Sequence, residues 1–73
     1  MDLKSFLETL TMVERDEFAT RCGSTAAHIK NVSYGYRSCA ESLAINIERE
    51  SGRKVRCESL RPDVDWQFLR NTA

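Results

Sequence analysis

Two glycines do most to limit what this 73-residue chain can fold into. They punctuate the stretch Phe18-Ala19-Thr20-Arg21-Cys22-Gly23-Ser24-Thr25-Ala26-Ala27-His28-Ile29-Lys30-Asn31-Val32-Ser33-Tyr34-Gly35, Gly23 within it and Gly35 at its end. Gly23 can take the left-handed conformation that stops a helix. The small polar pair Ser24-Thr25 follows at once, and Thr25 is a good N-cap for a second helix of about nine residues. Ile29 and Val32 supply its inner face, and Gly35 lies just past its end. The stretch predicts two short helices joined by a tight turn, the second anchored along one side only.

The flanks extend the helical pattern. Leu3, Phe6, Leu7 and Leu10 recur at i, i+3, i+4 and i+7, one apolar stripe of a short first helix. Thr11-Met12-Val13-Glu14 has the form of a capping box and opens the helix that Gly23 closes, with Val13, Phe18, Ala19 and Cys22 expected inside. Ser38-Cys39-Ala40-Glu41 reads as a second box. It precedes a helix striped by Leu43, Ala44 and Ile47 and ended by Ser51-Gly52. Lys54-Val55-Arg56-Cys57 reads as extended, and Glu58-Ser59-Leu60 as a single turn closed by Arg61-Pro62, since the residue before proline is pushed out of the helical region. The expected fold is all-α, a small four- to five-helix bundle. Residues 1–73 form one domain, with 62–73 as a C-terminal tail whose structure the pattern leaves open.

Composition narrows the function classes. A domain this size buries only roughly 60% of its unfolded surface, so its core is thin and dimerisation would help it. With 41% hydrophobic and 30% charged residues it suits a soluble globular protein. No apolar run approaches the ~20 residues of a membrane span, and the N-terminus lacks a signal pattern, so a cytoplasmic location is expected. Cys22, Cys39 and Cys57 are far apart and His28 is the sole histidine, which argues against a metal site; no cofactor is expected. Cys22 reads as a small buried hydrophobe. No phosphate-cradling glycine loop, metalloprotease pair or nucleophile elbow is present, so no enzymatic activity is expected.

The helix–turn–helix layout is the one that sets a short helix in the DNA major groove. Net charge is zero, but it is unevenly spread: −3 over residues 1–20, +4 over 21–61 and −1 beyond. No acid occurs from Phe18 to Ala40, the window that holds the second helix of the motif. A polyanion would tolerate that window far better than the acidic start.

The skeleton Ala19, Gly23, Ile29, Val32, Gly35 resembles the Cro and cI-type (lambda-repressor-like) helix-turn-helix regulators. Asn31-Val32-Ser33-Tyr34-Gly35-Tyr36-Arg37-Ser38-Cys39, Leu43-Ala44-Ile45-Asn46-Ile47-Glu48 and Leu60-Arg61-Pro62-Asp63 are similar to the YdaS-like branch, small Cro-like prophage proteins sometimes called antitoxins. The resemblance covers about residues 10 to 66. It implies a homodimer that binds double-stranded operator DNA and represses or switches a promoter. By position it implies that Thr25 caps the recognition helix, that Ala26, Ala27, Lys30 and Asn31 face the groove, and that Arg15 sits near a phosphate.

Lys30 suits guanine O6 or N7, and Asn31 suits adenine. Ala26 and Ala27 offer only methyl groups, for a thymine methyl or for close approach of the helix. His28 could reach a phosphate or a base and, with an ordinary value of about 6.5, would tighten binding below neutral pH. Tyr34 and Arg37 are expected on the sugar-phosphate backbone, with Tyr36 in the core. Arg61 is expected to pair with an acid and fix its turn. Trp66, Phe68 and Leu69 either cover the core or form a subunit interface. The alternative to DNA binding is an interaction module that neutralises a toxin or partner regulator through those three residues.

Overall fold

The computed structural model describes residues 1–71. Six helices follow one another: α1 Leu3–Glu8, α2 Met12–Arg21, α3 Ala26–Ser33, α4 Glu41–Glu50, α5 Cys57–Leu60 and α6 Trp66–Asn71. No strand occurs among the described residues, so the all-α expectation holds with one or two more helices than the pattern gave. No helix among them is long and apolar enough to cross a membrane.

Local chemistry sets the boundaries. Asp2 caps α1 by accepting from the Ser5 amide. The Thr11 box is complete: Thr11 Oγ1 accepts from Glu14 N–H at 3.2 Å, and Glu14 Oε1 accepts from Thr11 N–H at 2.8 Å. Gly23, at φ +74°, ends α2 in a Schellman motif, with Ser24 N–H donating to Ala19 C=O and Gly23 N–H to Thr20 C=O. Gly35 ends α3 in the same way, through Tyr36 N–H to Asn31 C=O and Gly35 N–H to Val32 C=O.

A single core holds these pieces. Phe18, Ile29, Ile47 and Val55 are fully buried, and the Phe6 and Phe18 rings lie 5.1 Å apart. Packing α2 against both α3 and α4 fixes the turn between the first pair. Asn46 of α4 reinforces it by donating to Cys22 C=O at 3.0 Å. Ser51, the one buried polar side chain among the described residues, is satisfied: its hydroxyl donates to Glu48 C=O and accepts from Val55 N–H.

Three sequence expectations are corrected. Val13 is exposed, because the inward positions of α2 fall at Arg15, Phe18, Ala19 and Cys22. The second capping box does not form: α4 starts after Ala40 with no side-chain cap. Cys39 is buried there, and its carbonyl is taken by Arg61 Nη1 at 2.8 Å, which draws the helix start past Ser38. Lys54 to Cys57 is not a strand: Val55 plugs the core and Cys57 already begins α5. The tail, which the pattern left open, turns through residues 62–65 and is helical over Trp66–Asn71; residues 72 and 73 of the 62–73 segment lie outside the described residues.

Arg61 has the structural role expected of it. It forms a bidentate pair with Asp63 at 2.9 Å, and its Nη1 lies 3.2 Å from Glu41. Trp66 folds back onto the core, 4% exposed, and its indole N–H donates to Arg61 C=O at 2.8 Å. The core therefore takes Trp66, and only Phe68 and Leu69 of the three expected interface residues remain exposed.

Candidate nucleic-acid interface

α3 is anchored on one side and open on the other. Thr25 Oγ1 accepts from His28 N–H at 3.1 Å, which fixes the first turn. Ile29 is fully buried, with Ala26 and Val32 packed partly against the core beside it. That leaves Ala27, Lys30 and Tyr34 exposed at i, i+3 and i+7, on one face of the rod. His28, Asn31 and Ser33 sit half-buried on its flanks. Among the expected groove-facing residues, Ala26 thus contributes more to packing than to the outer face.

A cleft of about 250 Å³ runs along this face, between α1, the first turn of α2 and α3. Its walls include Lys4, Met12, Arg15, Ala27, Lys30 and Tyr34, and also the acids Glu8 and Asp16. Arg15 is half-buried, with its Nε donating to Leu7 C=O at 2.8 Å, so the start of α2 is tied to the end of α1. Lys4 Nζ stands 5.3 Å from the centre of the Tyr34 ring, and the Tyr34 and Tyr36 rings are 6.0 Å apart. Tyr36 is 77% exposed, which corrects its expected place in the core: the turn at Gly35 carries the chain outward. Arg37, also exposed, lines a second cleft of about 620 Å³ beyond the end of α3 together with Lys4, Ser33 and Ser38.

The disposition of charge separates this face from the rest. Arg21 and Arg49 share Glu50; Arg56 and Arg70 share Glu48 and Glu58; Arg61 holds Glu41 and Asp63. Among the described residues, Lys4, Arg15, Lys30, Arg37, Arg53 and Lys54 form no ion pair. Four of those six, Lys4, Arg15, Lys30 and Arg37, line the two clefts around α3. Cations left unpaired beside an exposed helix suit the phosphate backbone, and the helix between them suits a groove.

The three thiols are buried and free. Burial, and then Glu50 and Glu48 respectively, push the Cys22 and Cys57 thiols up to about 11; burial also raises Cys39. No group of three metal-ligating side chains occurs among the described residues.

Lys4, Met12 and Tyr36 belong to this surface and were not among the residues expected on it. Lys4 follows Leu3 off the apolar stripe of α1, yet in the sequence it counts only as one cation in an acidic segment. Met12 is 81% exposed because the capping box makes it the first residue of α2, pointing away from the core.

Comparisons with known proteins fit this picture. The family model described as bacterial toxin YdaS matches residues 14–69. The chain is 29% identical over 62 residues to a prophage transcriptional regulatory protein of Escherichia coli (strain K12), covering 85% of this chain and 94% of that one. It is 56% identical over 39 residues to a second protein of the same strain, named provisionally as transcriptional regulator YdaS, covering 53% of this chain and 40% of that one.

Proposed function

The chain belongs to the bacterial toxin YdaS family, and on that premise we propose that it is a transcriptional regulator that binds operator DNA through α3. The observation that carries the reading is the contrast in charge: Lys30 projects from the open face of α3 with no ion pair among the described residues, flanked by Lys4 and Arg37, while Arg21, Arg49, Arg56, Arg61 and Arg70 are engaged with acids. Lys30 and Asn31 reach base edges, Arg37 and Tyr34 hold the backbone, and regulation follows from occupancy of the promoter. Two copies bind a pseudo-palindromic site with half-sites about 34 Å apart, and the exposed Phe68 and Leu69 form part of their contact. The names of the two relatives support the regulatory reading.

The test is selection of bound sequences from a random duplex pool, followed by affinity against salt. Log affinity should fall against log salt with a slope of about −0.9 per neutralised phosphate. Lys30→Ala should lose about 1–3 kcal/mol of base discrimination with little change in melting temperature. A flat salt response, or no enriched sequence, refutes the proposal.

A second reading rests on the family's description as a toxin. Overproduction would then arrest growth. If the toxicity acts through DNA, Lys30→Ala should relieve it; if it acts through a protein target, Phe68→Ala should relieve it and Lys30→Ala should not. The neutralising role that the sequence offers as the alternative would instead appear as rescue of growth by this chain when a separate toxin is co-produced.

A further inference from the structure

The open face of α3 changes character along its length. Its later part carries Lys30 and Tyr34, whereas its first turn carries Ala26 and Ala27, which have no hydrogen-bonding side chain. Ala26 is half-buried against the core, so Ala27 is the methyl group offered outward. Met12 lines the same cleft from the first turn of α2 and is 81% exposed. An exposed methionine at that point adds nothing to the core, since the inward positions of α2 are already filled by Phe18, Ala19 and Cys22.

Apolar side chains are poor readers of most base edges, which present donors and acceptors. The exception in the major groove is the 5-methyl group of thymine. We propose that Met12 and Ala27 together form an apolar reading patch for a thymine methyl in the bound duplex. The inference rests on the DNA-binding reading of α3 and names what its first turn recognises. The occupant is a nucleic acid and not an apolar peptide because cations border the patch: Lys30 lies one turn along, and Lys4 and Arg15 lie on the opposite walls of the cleft, against the two acids Glu8 and Asp16. Division of labour follows. Lys30 and Asn31 supply hydrogen-bonded readout at one end of the half-site, and a methyl contact supplies it at the other.

The experiment uses the full chain and a duplex recovered by the random-pool selection. Each thymine is replaced in turn by deoxyuridine, which removes the methyl group and leaves base pairing intact. At one position of each half-site affinity should fall about fourfold, the worth of one buried methyl-sized group. Met12→Gln and Ala27→Ser change exposed positions and should fold normally. In either variant that penalty should shrink toward none, while the penalties for base changes beneath Lys30 persist. Indifference of the wild type to every deoxyuridine overturns the proposal while leaving DNA binding intact, as does a selected consensus without thymine. Equal penalties in wild type and both variants also overturn it, because some other group would then read the methyl. Failure to bind any duplex, with no dependence on salt, brings down the DNA-binding reading and this inference with it.

Discussion

The two halves of the molecule use the same residue types in opposite ways. From α4 onward, every arginine but Arg53 is paired with an acid. Arg56 and Arg70 converge on Glu48 and Glu58, and Arg61 ties Glu41, Asp63 and the Cys39 carbonyl together. Around α3 the cations are left over: Lys4, Lys30 and Arg37 line clefts with no ion pair among the described residues. Each half is neutral by count, residues 1–40 with five cations and five acids and residues 41–73 with six of each, so net charge does not distinguish them and pairing does. The zero hides a latch built from paired charges beside a face whose positive groups are available to a partner. Charge that neutralises itself inside a fold contributes little to the field a distant polyanion meets; charge without a partner contributes most of it.

The comparison breaks most visibly if the tail is not part of the fold. Trp66→Ala removes a large core side chain and its bond to the Arg61 carbonyl, and should cost about 3–5 kcal/mol in urea unfolding. A loss below about 1 kcal/mol would mean that α6 is an appendage and that the paired half ends at α5.

A smaller effect tests the latch itself. Burial pushes the Glu48 carboxyl up, but the Cys57 amide and the Arg70 and Arg56 guanidiniums outweigh it and hold the group below the usual carboxylate range. A depressed value stabilises the fold above the unfolded value, near about 4.3, and that stability is lost as pH falls through the lower folded value. Glu58, held low by Arg70, and Asp63, held low by Arg61, act with the same sign. Glu48→Gln should lower stability at neutral pH by about 1–2 kcal/mol, since the Arg partners are partly solvated, and should flatten the acid limb measured by urea unfolding from pH 7 to pH 3. An acid limb identical to wild type would show that the paired charges do not hold the tail.

Legibility in the sequence followed the range of the interactions. The turn between α2 and α3 was readable because Gly23, Thr25 and Gly35 act through their own backbones and neighbours a few residues away. The Thr11–Glu14 box was readable for the same reason. The start of α4 was not, because it depends on Cys39 being buried and on Arg61, 22 residues later, binding its carbonyl. α5 was readable as a single turn over residues 58–60 closed ahead of Pro62, though its first residue, Cys57, read as extended; α6 was not readable, because so short a helix without a clear stripe exists through what it buries, here Trp66. Of the candidate interface, Lys30, Asn31 and Arg37 could be named from the motif. Lys4 and Met12 could not, because their membership depends on how α1 and the first turn of α2 sit across from α3.

The finest test of the comparison is whether Lys4 belongs with the unpaired cations or merely packs on an aromatic ring. Its ammonium stands over Tyr34, an arrangement worth about 0.5–1 kcal/mol at an exposed site, and it also lines both clefts flanking the end of α3. If it neutralises a phosphate, Lys4→Gln should reduce the magnitude of the log–log salt slope by about 0.9 and weaken binding about threefold near physiological salt. The selected consensus should not change, because a backbone contact carries no base information. A packing role predicts the opposite pattern, a slightly lower melting temperature with the salt slope intact. Lys54→Gln is the natural companion measurement: Lys54 is likewise without an ion pair among the described residues but lies beyond α4 and lines neither cleft, so its slope should match wild type unless the duplex wraps farther than the face of α3.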